Sequence, residues 1–124
     1  MKVLLVDDEV ELVSTLAERL SFRGIDVDYA TTADAAIQLA DQNAYDIAVL
    51  DVKMPRVRGF EIKKILEKKQ PGMRFLFMTG HGSEHDFRTG IAETGESFYL
   101  VKPVAIDVLI ERMKEAMEKQ GDAS

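Results

Sequence analysis

Four apolar runs in this chain each end on residues able to do chemistry. Lys2 to Val6 leads into Asp7-Asp8-Glu9, Asp46 to Leu50 into Asp51, Met73 to Met78 into Thr79-Gly80, and Ser97 to Val101 into Lys102-Pro103. Each has an ordinary reading taken alone. Acidic residues before a helix cap its N-terminus and favour its dipole. Asp51 can start the turn before Met54-Pro55, Thr79 before a glycine suits a turn, and Lys102 suits a solvated charge. Taken together they ask for more. Carboxylates gathered on one rim repel one another and raise at least one pKa unless a cation sits among them. Oxygen donors without His or Cys suit a hard ion, Mg²⁺ or in its place Mn²⁺, which keeps several waters and takes few carboxylates.

What could gather these residues is a repeating pattern of strand and helix. Lys2–Val6 and Asp46–Leu50 are almost wholly apolar, as central strands of a parallel sheet covered on both faces are. Residues 25–30 (IDVDYA) alternate and suit an edge. Met73–Met78 and Ser97–Val101 complete five strands. Between them, helical spacing puts Val10, Val13, Leu16, Ala17 and Leu20 on one stripe, then Ala33, Ala36, Ile37 and Ala40, then Ile62, Ile65 and Leu66. A fourth helix over 81–94, with Gly82 and Gly90 inside it, is short and poorly anchored. The last helix spans Val104–Lys119, with Leu109, Met113, Ala116 and Met117 on its stripe; these methionines, like Met73 and Met78, read as core filler. Gly24 closes the first helix, Thr32 caps the second and Pro71-Gly72 stops the third. Right-handed crossovers wind such a chain into a parallel sheet with helices on both faces. Ligands of an open parallel sheet bind beyond the carboxyl ends of its strands, where the four chemical motifs lie.

The ordered motifs Val-Asp-Asp-Glu at 6–9, Leu-Asp-Val-Lys-Met-Pro at 50–55 followed by Gly59, Met-Thr-Gly at 78–80 and Tyr-Leu-Val-Lys-Pro at 99–103 resemble those of response-regulator receiver domains of two-component signal transduction. The resemblance covers residues 1–120, with 121–124 left as a flexible tail or the start of a linker. It implies a flavodoxin-like (βα)₅ fold, a doubly wound five-stranded parallel sheet of order 2-1-3-4-5. It also implies roles. Asp51 is the phosphoacceptor, taking a phosphoryl group from the phosphohistidine of a sensor histidine kinase or phosphotransfer protein. Asp8 and Asp51 bind Mg²⁺ directly, Asp7 largely through water, and the Lys53 backbone carbonyl completes the protein's ligands. Lys102 neutralises phosphoryl charge and Thr79 donates its hydroxyl to a phosphoryl oxygen. That movement opens space for Tyr99 to turn, linking the acyl phosphate to the surface of the fourth helix, fifth strand and fifth helix. Pro103 suggests a cis peptide after Lys102. A downstream output domain or target protein reads the change, and a phosphorylation-linked homodimer is the further expectation.

The chain departs from the family pattern in places. Arg58 stands where Asp or Asn is usual and, with Arg56, makes the loop basic; it reads as a solvent-facing charge, with partner docking as the functional alternative. Lys53, two beyond Asp51, and His81, two beyond Thr79, are placed to tune the lifetime of the acyl phosphate. The stretch from Thr79 to Lys102 is about one residue longer than usual, and Thr94-Gly95-Glu96 replaces a run of small residues.

Composition narrows the remaining classes. With 124 residues, 46% of them hydrophobic, the chain fits one domain with a real core. Its 16 basic and 22 acidic residues give a net charge of -6, with no basic stripe for direct nucleic-acid binding. No apolar run approaches the ~20 residues that span a bilayer, so no membrane contact is expected. The absence of cysteine leaves a reducing cytoplasm as the natural setting. His81 and His85 share a helix spacing but lack a third zinc ligand. A hydrolase acting on external substrates would carry an acid/base carboxylate where Lys53 stands, so catalysis is expected only on the chain's own phosphorylation and dephosphorylation. A flavin protein would need a phosphate cradle that the loop after strand one lacks. The alternative kept is a phosphate-independent protein-interaction module on the same scaffold.

Overall fold

The computed structural model describes residues 1–80 and 98–122. The chain runs β1 (Lys2–Val6), α1 (Val10–Phe22), β2 (Asp26–Ala30), α2 (Ala33–Gln42), β3 (Ile47–Asp51), α3 (Gly59–Lys69), β4 (Arg74–Thr79), β5 (Tyr99–Val101) and α4 (Ile106–Asp122). The five strands form one parallel sheet of order β2-β1-β3-β4-β5. This is the flavodoxin-like, doubly wound order expected. The helix expected over 81–94 lies outside the described residues, as do His81, His85 and Thr94-Gly95-Glu96.

The apolar runs of the central strands are two interleaved faces with the two-residue period of a pleated strand. Leu4 and Val6 of β1, Ala48 and Leu50 of β3, and Phe75 and Phe77 of β4 pack into one core with Ala36, Ile62 and Leu66 of α2 and α3. The residues between them, Val3, Leu5, Ile47, Val49, Leu76 and Met78, pack into the other, with Val13, Leu16 and Leu20 of α1 and Leu109 and Met113 of α4. Each fully buried Leu or Phe contributes roughly 1.5–3 kcal/mol, so both faces of these three strands must stay apolar. β2 is the edge expected, and it buries only Ala30 fully.

Element ends differ from the expected ones by one to three residues. β3 and β4 each run one residue further, so Asp51 and Thr79 are the last residues of their strands rather than the first beyond them. β5 starts at Tyr99 instead of Ser97, and α4 starts at Ile106 instead of Val104. Val10 belongs to no buried stripe and is 57% exposed, because it opens α1 at the rim where the sheet ends. The stop signals lie where expected. Gly24 takes φ +80, Thr32 Oγ1 accepts the Ala35 amide at 3.1 Å, and α3 ends just before Pro71-Gly72. Met73, Met78 and Met113 are core side chains. Among the described residues, no helix is long and apolar enough to cross a membrane.

Candidate functional site

Strand register assembles the site. Val6 pairs with Leu50 across β1 and β3, so Asp7, one residue on, comes level with Asp51. Asp51 in turn pairs with Met78, one residue before Thr79, and Thr79 pairs with Val101, one residue before Lys102. Neighbouring strands lie about 4.8 Å apart, so four residues distant in sequence meet along one sheet edge. Asp7, Asp51 and Thr79 are buried, at 0%, 5% and 1% exposure, and are the polar residues the edge buries among the described residues.

The carboxylates of Asp7, Asp8 and Asp51 each offer an oxygen within 4.8 Å of the others. Lys102 reaches into this group from the far side, its Nζ 2.6 Å from Asp7 Oδ2, 2.9 Å from Glu9 Oε1 and 3.8 Å from Asp51 Oδ1. The Glu9 amide donates to Asp7 Oδ1 at 2.9 Å and the Lys53 amide to Asp51 Oδ1 at 3.4 Å. A cleft of about 240 Å³ opens over them, lined by Asp8, Glu9, Asp51, Lys53, Gly80 and Lys102. A larger hollow of about 330 Å³ between Thr31–Asp34 and Met54–Val57 brings no comparable set of groups together, so volume alone does not locate the chemistry.

The electrostatics describe a cluster short of positive charge. Burial, and then the charge of Asp7, push the Asp51 carboxyl up to about 6 against the pull of Lys102. Burial likewise raises Asp7, even though Lys102 and the Glu9 amide both favour its charged form. Burial opposes the charged form of Lys102, but its contacts with Asp7 and Glu9 outweigh that and hold the ammonium above its ordinary range. A divalent cation among these oxygens would reverse the carboxylate shifts. The donor set fits Mg²⁺: all oxygen, few carboxylates, and an open cleft for the waters the ion keeps.

Two features of the β3–α3 connection hold Asp51 in place. A Cβ at Gly59 would overlap the Asp51 carbonyl oxygen, so only glycine lets α3 start this close to the end of β3. Between them Arg56 takes φ 70, and the Val57 amide donates back to the Pro55 carbonyl at 2.8 Å, a tight turn rarely taken by a residue with a side chain. Arg58 is exposed and occupies the N-cap position of α3, making no side-chain cap hydrogen bond.

The Thr79 hydroxyl has no hydrogen-bond partner among the described residues. Tyr99, paired with Phe77, is 5% exposed and sits in the core on the α2 and α3 side. The Lys102–Pro103 peptide is cis. Sequence reasoning saw Glu9 only as one of three acidic residues and missed its contact with Lys102. The signal available was its position directly after the acidic pair, at the N-cap of α1.

The comparisons with known proteins agree in kind. The family described as the response regulator receiver domain matches residues 3–114. CusR of Escherichia coli, a transcriptional regulatory protein, is 34% identical over 120 residues, covering 96% of this chain and 52% of that protein. SilR of Salmonella typhimurium, a probable transcriptional regulatory protein, is 33% identical, with the same two coverages. The chain thus spans about half the length of these curated relatives. A CheY-like receiver domain protein from Methanospirillum hungatei superposes with a TM-score of 0.85 at 28% identity, over 99% of this chain and 98% of its own. A response regulator from Burkholderia pseudomallei, solved with a phosphorylated aspartic acid, calcium ion and citrate, gives 0.81 at 27% identity, over 99% of this chain and 72% of its own.

Proposed function

Because the chain belongs to the response regulator receiver domain family, we propose that it is a phosphorylation switch in which Asp51 takes a phosphoryl group from the phosphohistidine of a sensor kinase or phosphotransfer protein. The observation that carries this reading is the meeting of Asp7, Asp8 and Asp51 within 4.8 Å of one another, with the Lys102 ammonium 3.8 Å from Asp51. In the transfer, an Asp51 carboxylate oxygen bonds to phosphorus as the nitrogen–phosphorus bond breaks, and the imidazole leaves. A carboxylate approaching a phosphoryl group meets charge repulsion, so neutralisation and positioning are the catalysis required. Lys102 supplies one positive charge. Asp8, Asp51 and the Lys53 carbonyl would hold Mg²⁺ directly and Asp7 through water, the ion supplying further charge to the phosphoryl oxygens.

The Thr79 hydroxyl, buried and without a partner among the described residues, is a donor waiting for an acceptor, and a phosphoryl oxygen on Asp51 is the acceptor we assign to it. Its movement frees Tyr99 to change position, which alters the surface of β5 and α4 and so carries the signal to an output domain or target protein. Lys53, exposed at the mouth of the cleft, is placed to govern how hydrolytic water reaches the acyl phosphate. The phosphorylated aspartate and divalent ion named for the Burkholderia pseudomallei neighbour support this reading by likeness. We place the switch in the cytoplasm, where a kinase partner would meet it.

Incubation with Mg²⁺ and acetyl phosphate, followed by intact mass measurement, tests the proposal. The parent is expected to gain one phosphoryl group, Asp51→Asn none, and the parent with chelator none. A folded parent that gains nothing would turn the reading to a phosphate-independent interaction module.

A further inference from the structure

Lys102 has two acidic partners in unequal surroundings. Asp7, at 2.6 Å, is 1% exposed in its side chain; Glu9, at 2.9 Å, is 59% exposed. The Lys102 side chain is 9% exposed, and its ammonium is still 3.8 Å from the Asp51 carboxylate. Asp7 cannot withdraw without leaving a buried carboxylate unpaired. Glu9 can return to water at little cost. Its contact is the one that divides Lys102 between the outer rim of the cleft and its floor.

We propose that Glu9 is a positioning residue that tethers Lys102 in the resting state, and that Lys102 leaves it for the phosphoryl group as Asp51 is modified; this rests on the reading that Asp51 takes a phosphoryl group. With acetyl phosphate as donor, the bond from Asp51 oxygen to phosphorus forms while the bond from phosphorus to the acetyl oxygen breaks, and acetate leaves. On transfer the single charge of the Asp51 carboxylate gives way to a phosphoryl group with about two negative charges beside Lys102, a stronger partner than one solvated carboxylate. The Glu9 contact therefore stabilises the state before transfer more than the state during it, which slows formation of the acyl phosphate. Once the phosphoryl group is in place Lys102 faces it both before and during hydrolysis, so the tether acts on formation and hardly on loss.

Two variants separate a tether from a general charge effect. Glu9→Gln removes the charge, whereas Glu9→Asp keeps the charge and shortens the reach. Both are expected to speed phosphoryl gain from acetyl phosphate by about 2- to 5-fold, the range an exposed ion pair supports, while the rate of phosphoryl loss after donor removal changes less. In metal-free protein, both are also expected to raise labelling of Lys102 by an amine-reactive ester about twofold relative to the other lysines, read by peptide mass mapping. Melting curves establish that both variants are folded. If Glu9→Asp behaves as the parent while Glu9→Gln is faster, charge alone is responsible and the tether is overturned. If neither differs from the parent in rate or labelling, it is overturned as well. A parent that gains no phosphoryl group would instead overturn the reading of Asp51 and this proposal with it, an outcome distinct from parent and variants gaining it equally.

Discussion

The two ends of the sheet are built on opposite terms. Where the strands begin, polar groups are paired. Asp46 Oδ2 accepts the Lys2 amide at 2.7 Å, the Asp46 amide donates back to the Lys2 carbonyl at 2.9 Å, and the Arg74 backbone amide donates to the Asp46 carbonyl at 3.0 Å. The Tyr45 hydroxyl donates to Asp28 at 2.6 Å. Where the strands end, Asp7 and Asp51 are buried side by side and the Thr79 hydroxyl has no partner among the described residues. Buried polar groups are ordinarily satisfied, and burying an unsatisfied or like-charged one costs stability. The starting edge therefore holds the fold together, and the finishing edge carries charge that folding does not require and that the transfer proposed for Asp51 would.

The surest way to break this division is at Gln70, the hub of the starting edge. Its Oε1 accepts the Tyr45 amide at 2.8 Å, and its Nε2 donates to the carbonyls of Ala40 and Asn43, each at 2.8 Å. One side chain thus joins the end of α2, the approach to β3 and the end of α3. Three hydrogen bonds at about 0.5–1.5 kcal/mol each make Gln70→Ala destabilising by about 2–4 kcal/mol in denaturant melts, with Asp51 phosphorylation kept in the folded fraction. A loss under about 0.5 kcal/mol would deny the starting edge its special role.

The opposite sign is expected at Asp51. Its native carboxyl is raised to about 6 from an ordinary 3.8, first by burial and then by Asp7. The folded state therefore holds a proton that the unfolded state has released, and stability present below pH ~4 is lost as pH rises through about 6. In chelator, Asp51→Asn removes this loss and should stabilise the protein by about 1–3 kcal/mol at pH 7, the gain shrinking towards pH 4. Adding Mg²⁺ should stabilise the parent and close much of the gap. A variant no more stable than the parent at pH 7 without metal would show that Lys102 already balances the site.

How much of this could be read from the sequence follows the same division. The finishing edge was legible because its residues break apolar runs: Asp7, Asp51, Thr79 and Lys102 each interrupt a hydrophobic stretch, and the strand register that unites them follows from those stretches. The starting edge was not. Gln70 is a polar residue at the end of an amphipathic helix, typical of solvent, and its three partners come from segments that only the folded chain brings near. Glu9 stood in plain view, yet its partner lies 93 residues away. The ends of β3 and β4 were placed one residue short because periodicity marks apolar residues, and a strand that continues into Asp51 or Thr79 looks finished. Gly59 belongs to a sequence motif, but the overlap that forbids any other residue exists only once α3 is packed over the end of β3.

Arg58 offers the finest test of whether stability at the finishing edge gives way to function. It is the N-cap of α3, with extended φ -73 and ψ 154 and no side-chain cap hydrogen bond. Asp or Asn here would accept an amide hydrogen bond of the first turn, and a negative charge would favour the helix dipole where a guanidinium opposes it. Arg58→Asp is therefore expected to raise stability by about 0.5–1.5 kcal/mol, read as a shift in the denaturant midpoint without change of slope. The same change reverses one charge of the basic loop formed with Arg56, so a kinase that docks on the loop would phosphorylate the variant more slowly while acetyl phosphate would not distinguish the two. Higher stability with unchanged transfer from both donors would show that the charge of Arg58 plays no part in docking. Higher stability with slower transfer from the kinase alone would mean that the loop keeps its charge for a partner at the expense of its own helix.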